Sequence, residues 1–436
     1  MTLSRPLRAL RYAPDRVELS RVIVPPYDVI ADDERGDFFD RDPHNAIRFE
    51  LTRDADDEAA ADYGWIRSTL DAWRREGVLV RDETPAYYVM GQRYTAPDGQ
   101  PLERVGFFAE LGLAEYDERV VRPHERTLAG PRADRLKLLQ ASEANLSTVF
   151  LLYEDREDTL GPLLAAALDR GEVARAESGD VAYRLARLTE PATIERVRAF
   201  MAARPSVIAD GHHRYETALE YRRQQIAAHG DLADAPWQST IAYVANAWSR
   251  GSLLLPIHRV VREVAAPSEE DWRKKLPAWT IRALPRVDPE GVEARLAEEL
   301  APHAGRPAFV AECADGATLL ATRESPLGDE LMVRIIERDV LGGVFGLDPE
   351  AIRGGAVAFP KSARRAGQEI REGKGTVALY LNPLTPDDVF RTTEAGEVMP
   401  QKSTFFHPKI PTGMVFRDHR DVGDAPDFRD APGGAD

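Results

Sequence analysis

The chain has 436 residues, 43% of them hydrophobic and 30% charged, with a formal net charge of −16. Such an acidic chain is a poor general binder of nucleic acid, because contacts to phosphates supply most non-specific affinity. Its single cysteine, Cys313, excludes intrachain disulfides and zinc clusters built from cysteines. No apolar stretch approaches the roughly 20 residues that cross a bilayer, and no apolar signal core follows Met1. We therefore expect a soluble, cytoplasmic protein with no membrane partner.

The first part of the chain alternates β-rich runs with helical patterns. Residues 45–51 alternate apolar and polar side chains, which predicts a half-buried strand. Apolar residues recur on one face of residues 56–77, so this segment predicts a helix. The strand-like runs 86–95 and 102–111 flank the turn signal at 97–99 and predict a hairpin.

Further along, a short apolar strand at 206–209 leads directly into a predicted helix at 211–228. Mixed strands and helices point to an α+β protein. We predict a main domain over 1–265 and a smaller α/β domain over 270–416. Residues 417–436 are rich in Asp, Arg, Gly and Pro, so we expect a disordered acidic tail there.

The strongest chemical signal is the run from Asp210 to Arg214, where the strand meets the helix. Asp210 can cap the helix, and Gly211 lets a ligand approach the backbone closely. The first turn offers free N–H donors and a partial positive charge, and His212, His213 and Arg214 add side-chain donors. Together these groups predict a phosphate site. An ordinary cap with exposed histidines is the alternative, but the pairing of two histidines with an arginine favours function.

A polar loop supplies the second candidate set. Glu125 is a candidate general base and His124 a candidate proton shuttle. Arg122 and Arg126 offer guanidinium groups to a phosphate or a carboxylate. The alternative interpretation is a solvated loop without a chemical role. We expect no metal site, because His212 and Glu216, one helical turn apart, have no evident third ligand nearby.

A third set lies near the end of the chain. Lys402, Ser403, Thr404 and Lys409 are all residue types that bind phosphate, although the glycine framework of a P-loop is absent. We predict that this segment returns to the main site. Glu50 is a further candidate catalytic residue, but it lies in the alternating run 45–51, and a half-buried strand explains that pattern without any chemical role.

Taken together, these segments resemble a bacterial and archaeal family of unknown function, number 1015 in the domain-of-unknown-function series. The resemblance covers nearly the whole chain, and the label itself supplies no activity. The stretches that carry it are 25–30, 45–51, 124–127 with 134–135, 210–219, 256–259 and 399–413.

More distantly, the motif Asp-Gly-His-His-Arg resembles the ParB/sulfiredoxin superfamily, which includes free-serine kinases. This resemblance implies a ParB/sulfiredoxin-like core whose Gly211–Arg214 turn binds nucleotide phosphates, with ATP or ADP as the nucleotide. It also implies a glutamate base, for which Glu125 is the first choice and Glu50 the second. We expect Mg²⁺ to be held mainly by the nucleotide, and His124 or His212 to assist the base. Sulfiredoxin chemistry is excluded because a histidine, and no cysteine, precedes Arg214.

The expected function is a nucleotide-dependent phosphotransferase acting on a small hydroxylated metabolite, with free serine the leading acceptor. A phosphohydrolase or a phosphate-ligand sensor is one alternative. A ParB-like nucleic-acid-binding or nuclease module is another, but the acidic balance and the lack of a basic, aromatic-interleaved stripe count against it. The sequence leaves open whether the chain is an enzyme, which nucleotide and acceptor it uses, the direction of the reaction and the oligomeric state.

Overall fold

The computed structural model describes residues 4–51, 63–126 and 129–421. In these ranges the strands follow one another as β1 Ser4–Arg5, β2 Leu10–Tyr12, β3 Leu79–Arg81, β4 Tyr87–Thr95, β5 Pro101–Gly112, β6 Val121–Arg122, β7 Ala144–Asn145, β8 Val149–Tyr153, β9 Glu172–Ser178, β10 Val181–Leu188, β11 Ser206–Asp210, β12 Ser239–Asn246, β13 Leu253–Leu255, β14 Arg259–Val261, β15 Thr280–Leu284, β16 Ala308–Cys313, β17 Thr318–Thr322, β18 Val357–Ala358, β19 Val377–Leu381, β20 Phe405–His407 and β21 Arg417–Asp418.

The α-helices of the same ranges are α1 Leu19–Val22, α2 Arg35–Arg41, α3 Gly64–Arg75, α4 Ala129–Ser142, α5 Gly161–Arg170, α6 Pro191–Ala202, α7 His212–His229, α8 Glu269–Lys275, α9 Val292–Glu299, α10 Met332–Ile335, α11 Pro349–Ala351, α12 Ala363–Arg371 and α13 Pro386–Glu394. Two π-helical segments, Ile336–Gly342 and Ile352–Ala356, continue α10 and α11. This mixture of helices and strands confirms the predicted α+β class. Each helix of the described ranges is too short or too polar to cross a bilayer.

Contacts within the chain divide it into two compact units. The first contains the described residues of Met1–Ala96, Pro101–Ser252 and Pro408–Asp436, and the second contains Pro97–Gln100 and Leu253–His407. The first unit is therefore discontinuous in sequence. The predicted limits, 1–265 and 270–416, place residues 408–416 with the smaller domain, although the sequence also predicts that the segment around Lys402 and Lys409 returns to the main site.

A mixed sheet forms the centre of the first unit. Its strand order is β6-β11-β8-β12-β5-β4-β10-β9, with β1 also paired to β5. The β11–β6 and β12–β8 pairs are parallel and the remaining pairs are antiparallel. Strands β8 and β12 are buried along their whole length, as expected for central strands covered on both faces. Side chains of the sheet and of α5, α6 and α7 share one apolar core, for example Leu151, Val244, Leu164, Met201 and Leu219.

The second unit has its own sheet, in the order β15-β17-β16-β19-β14-β18, and every pairing in it is antiparallel. Its core includes Val310 and Tyr380 from the sheet, Leu300 beside α9, and Ala366 and Ile370 from α12. The second unit thus contains an apolar core separate from that of the first.

Local pattern predicts several elements correctly. The hairpin is confirmed as β4 and β5, with Tyr88 opposite Phe108 and Gly99 in a left-handed conformation at the turn. The predicted strand at 206–209 and helix at 211–228 are confirmed as β11 and α7. Of the helix predicted at 56–77, α3 covers Gly64–Arg75, and residues 56–62 lie outside the described residues.

Residues 45–51 do not form the predicted strand. They contain a 3₁₀ turn at Ala46–Phe49, and Asn45 Oδ1 accepts a hydrogen bond of 2.9 Å from the Ile47 N–H. The Asn45 side chain therefore offers the backbone a local partner that competes with a strand ladder. Ala46, Ile47, Phe49 and Glu50 are all buried, so the alternation of polarity does not reflect one solvent-facing side.

The first residues of the predicted disordered tail are ordered. Arg417 and Asp418 form β21 against β7, and a 3₁₀ turn follows at His419–Asp421. Ion pairs, which the apolar pattern does not reveal, hold this segment: Asp418 binds Arg67 at 2.8 Å and Arg74 at 2.7 Å. The remainder of the predicted tail, 422–436, lies outside the described residues.

Candidate functional site

The strand–turn–helix predicted from the sequence is organised around Gly211. Buried strand β11 ends at Asp210, and Gly211 turns the chain into α7 with φ +87°. A Cβ atom at Gly211 would lie 2.9 Å from Arg214 Nε, so glycine is required both by the left-handed conformation and by the nearby guanidinium. The Tyr215 N–H donates to the Gly211 carbonyl at 3.0 Å. The backbone amides of residues 212–214 precede this first bond of the helix. They are the groups with which helix N-termini bind anions.

The sequence predicts that Asp210 caps α7, but it does not. Gly211 occupies the N-cap position, and no side chain caps the helix there. Asp210 instead lies between two cations. Arg214 Nη2 donates to its Oδ2 at 2.7 Å, and Lys409 Nζ binds its Oδ1. Burial alone would raise the pKa of Asp210, but Lys409 and Arg214 together hold this pKa far below its usual value. The carboxylate is therefore ionised and leaves the three groups with one net positive charge.

Arg214 is fixed from more than one side. Its Nη1 donates to the Thr148 carbonyl at the start of β8, and only 8% of its side chain is exposed. Among the described residues its buried Nε has no hydrogen-bond partner. Burial opposes the charged form, but Asp210, Asp28 and Glu50 raise the pKa of Arg214. The guanidinium is thus a rigidly held cation that keeps one unused N–H donor.

Two buried histidines lie beside this cluster. The backbone N–H of His124 donates to His212 Nε2 at 3.3 Å, and the two ring centroids are 4.6 Å apart. His124 Nδ1 lies 2.5 Å from the Ile208 carbonyl, so this nitrogen carries the proton. Burial lowers the pKa of both rings, which are therefore neutral near neutral pH. Within the described ranges no group of three or more His, Cys, Asp or Glu side chains is placed to hold a metal ion.

Glu50 is the centre of a second buried cluster. Thr412 Oγ1 donates to its Oε1, and Arg135 Nη1 lies 3.2 Å from its Oε2. Arg135 also donates to Asp134 at 2.9 Å through Nε and lies over the Tyr27 ring, 4.3 Å from its centroid. Burial raises the pKa of Glu50, although Arg135 and Thr412 act in the opposite direction. Glu50 is fully buried with both oxygens engaged, so its contacts orient Arg135 and the Thr412 segment.

Glu125 differs from Glu50 because it is half-buried and borders the histidines. Burial lowers the pKa of His124 and of His213, and the charge of Glu125 opposes this at both rings. Arg122 lies on β6, where its Nε donates to the Arg119 carbonyl at 3.2 Å, and Arg126 is exposed. Glu125 therefore lies close enough to His124 and His213 for its charge to act on both rings.

The third predicted set divides between the units. Lys409 belongs to the first unit, where it binds Asp210. Lys402, Ser403 and Thr404 belong to the second unit. The Lys402 carbonyl lies 3.4 Å from Arg259 Nη2, and buried Ser403 donates to the Pro400 carbonyl at 2.6 Å. The role of these three residues in phosphate binding stays a prediction.

Some contacts of the site carry no recognisable sequence signal. Thr148 contributes a backbone carbonyl, which no side-chain pattern reveals. Thr412 lies 362 positions from Glu50 and Lys409 lies 199 positions from Asp210. The sequence prediction also omits Gln92 and Arg104. These two polar residues face each other in the hairpin and are buried, and polar residues at such positions are a signal that could have identified them.

These features define an α+β protein with a buried, net positive cluster at the beginning of a helix. The profile of the family DUF1015, described as a protein of unknown function, matches residues 5–333. The chain therefore belongs to this family, as the sequence predicts. Comparison with curated protein sequences gives no match.

Solved structures provide further similarities at the level of the backbone. A conserved hypothetical protein from Pyrococcus furiosus matches 73% of this chain and 97% of its own, with 12% identity and a TM-score of 0.34. A glutamate-to-glutamine variant of free serine kinase in complex with AMP matches 71% of this chain and 92% of its own, with 12% identity and a TM-score of 0.33. A C-terminally truncated SbnI from Staphylococcus aureus matches 72% and 90%, with 11% identity and a TM-score of 0.35.

Proposed function

We propose that the chain is a nucleotide-dependent phosphotransferase that acts on a small hydroxylated metabolite, with a free amino acid such as serine the leading acceptor. The observation that carries the proposal is the buried Asp210–Arg214–Lys409 cluster at the start of α7. One carboxylate between two cations leaves a net positive charge, and the amides of the first turn add N–H donors and the partial positive charge of the helix start. Phosphoryl transfer needs such fixed positive charge around the transferred group, together with in-line positioning of the reactants.

The proposal gives Glu125 the role of proton acceptor for the substrate hydroxyl. Glu125 is half-buried beside His124 and His213, whereas Glu50 is fully buried with both oxygens engaged. A general base must reach the proton that it removes, so we assign Glu50 to positioning Arg135. His124 and His212 are neutral and assist as hydrogen-bonding groups rather than as charges.

ATP or ADP supplies the phosphoryl group in this proposal, with Mg²⁺ held mainly by the nucleotide. The donors at the start of α7 are amides, a guanidinium and an ammonium, which fit phosphate oxygens better than a bare cation. In this proposal Gly211 and His213 belong to the turn that binds the phosphate. The further phosphate contacts that we propose within the first unit are Arg122 and Arg126.

Thermal-shift titration tests this proposal on the full chain, with ATP, ADP, AMP and phosphoserine in the presence of Mg²⁺. Wild-type protein is expected to be stabilised, and Arg214→Ala or Lys409→Met to bind about tenfold to a hundredfold more weakly, since each loses a charge-assisted contact. Arg222→Ala is a matched control on the same helix. Arg222 donates to the Leu113 carbonyl at 2.6 Å and to Glu115 at 2.8 Å, away from the first turn.

Turnover is followed by phosphorus NMR with nucleotide and serine. Glu125→Gln is expected to lose transfer while retaining nucleotide binding. If no phosphate-bearing compound stabilises the wild type, or if Arg214→Ala responds like the wild type, the phosphate site is wrong. Release of phosphate without an acceptor identifies a hydrolase, and binding without turnover a sensor. A salt-dependent gel shift on duplex DNA favours the nucleic-acid alternative.

A further inference from the structure

Two fully buried polar residues hold the backbone that carries Lys409. Gln92 on β4 and Arg104 on β5 face each other directly in the hairpin, and neither is exposed to solvent. Gln92 Nε2 donates to the Lys409 carbonyl at 3.0 Å, and Arg104 Nη2 donates to the Pro408 carbonyl. Two consecutive carbonyl groups are therefore tied to the central sheet.

The same two side chains also bind each other. Arg104 Nε donates to Gln92 Oε1 at 3.0 Å and its Nη2 to the same oxygen at 2.5 Å. The guanidinium lies over the Phe150 ring, 4.5 Å from the centroid, and burial lowers the pKa of Arg104. Burying a guanidinium is unfavourable unless its donors are satisfied. The network that satisfies them fixes the direction of Gln92, and with it the position of the Lys409 carbonyl.

The anchored carbonyl groups lie next to the residue whose side chain enters the cluster. Lys409 Nζ reaches Asp210, and 16% of the Lys409 side chain is exposed. A lysine side chain has four rotatable bonds, so its charge is well placed only if the backbone is fixed. The sheet core and the start of α7 are thereby connected through residues 408–409.

We infer that Gln92 and Arg104 are positioning residues that hold the Lys409 ammonium against Asp210. The consequence for phosphate binding rests on the proposed function, but the geometry of Lys409 does not. Neither residue touches the candidate site itself; both act through the backbone of Pro408 and Lys409.

Gln92→Glu isolates this contact, because it keeps the size of the side chain and an acceptor for Arg104 but removes the donor to the Lys409 carbonyl. The readout is acetylation of Lys409 in the native protein, quantified by peptide mass spectrometry. We expect its rate to rise about threefold to tenfold as the lost hydrogen bond loosens the ion pair. Lys374, whose side chain is 55% exposed, is the internal reference and its rate is expected to stay constant.

Tyr87→Phe is the matched control for loss of a buried hydrogen bond. Tyr87 lies five residues before Gln92 on β4 and donates to the Ser4 carbonyl at 3.1 Å, so its loss does not involve the Lys409 contact. If Gln92→Glu does not fold, Gln92→Met removes the same donor without adding a charge. Equal Lys409 acetylation in the wild type and in the folded Gln92 variant overturns the inference. Increased acetylation in a protein that binds no ADP supports the positioning role and refutes the proposed function.

Discussion

Two constraints favour glycine at position 211: the left-handed backbone conformation and the close approach of the Arg214 side chain. The φ of +87° at Gly211 is costly for other residues, and a Cβ atom there would meet Arg214 Nε at 2.9 Å. Gly211→Ala is expected to lower the free energy of unfolding by about 1–2 kcal/mol through the left-handed conformation alone. Displacement of Arg214 adds to this loss. Urea unfolding of the two proteins measures the sum.

Gly305 provides the control for the contact. It has the same φ of +87°, and an added Cβ atom would have no neighbour within 4 Å. Gly305→Ala should therefore lose only the conformational part, and its response to nucleotide should equal that of the wild type. Equal losses of stability at positions 211 and 305 would show that the Arg214 contact is unimportant.

His258 predicts a pH dependence of stability in the second unit. Burial lowers its pKa to about 3, and its Nδ1 accepts a 3.3 Å hydrogen bond from the Leu381 N–H. A neutral buried histidine is protonated only on unfolding. Its stabilisation is therefore complete above the unfolded pKa of about 6.5 and is lost as the pH falls from there toward 3, by at most about 1.4 kcal/mol per pH unit.

His258→Asn retains an acceptor but does not titrate. Urea unfolding at several pH values between about 7 and about 4.5 should give a shallower slope for this variant than for the wild type. His229→Asn, a substitution at an exposed histidine, is the matched control. Identical slopes in His258→Asn and the wild type would contradict the assignment of a neutral, buried ring.

The residues of the site were predictable where their partners are local. Asp210 and Arg214 are four positions apart on either side of the strand-to-helix turn at Gly211, so their proximity follows from this local turn. Lys409 comes from 199 positions away, and no local pattern pairs it with Asp210. The cap assigned to Asp210 failed for this reason. A short acidic residue before a helix normally caps it, but two cations engage both oxygens of this carboxylate.

Among the elements, β21 and the turn after it are held by charge. Asp418 is fully buried in contact with Arg67 and Arg74. Asp418→Asn is expected to lower the free energy of unfolding by about 1.5–3 kcal/mol, because these hydrogen bonds involve charged groups and leave two arginines without this partner. Chemical unfolding of the full chain measures the change.

Asp71→Asn is the control for Asp418→Asn. Asp71 also binds Arg67, at 2.8 Å, but its side chain is 38% exposed. Exposed ion pairs contribute less than about 1 kcal/mol, so its loss should be clearly smaller. If the two variants lose equal stability, burial of Asp418 does not determine the strength of the contact.

Elements with a regular apolar pattern were predictable, and elements held by polar contacts were not. The β4–β5 hairpin and the β11–α7 unit follow from alternation, turn residues and helical spacing. Residues 417–421 have the composition of a disordered tail, yet ion pairs fix them against α3 and β7. Composition measures the supply of apolar surface and does not count such pairings.

For the whole molecule, the discontinuity of the first unit has a consequence for fragments. Residues 408–421 pair with early parts of the same unit: Thr412 with Val24 and Phe416 with Leu10 through backbone hydrogen bonds of 2.7–3.0 Å. The sequence predicts a return of the segment around Lys402 and Lys409, but it does not predict these backbone pairings. A fragment of residues 1–252 therefore lacks part of its own core, whereas residues 253–407 include a complete sheet and an apolar core.

We expect the 253–407 fragment to fold alone and to melt cooperatively by circular dichroism. The 1–252 fragment should melt without a cooperative transition and give poorly dispersed amide signals in NMR spectra, since Phe416, Thr412 and β21 are missing from it. Joining 1–252 to 408–421 through a long flexible Gly-Ser linker should restore the transition. A linker followed by the same segment carrying Asp418→Asn and Phe416→Ala is the matched control and should restore little. Cooperative melting of 1–252 alone, equal to that of the linked fragment, would show that the C-terminal segment is dispensable for this unit.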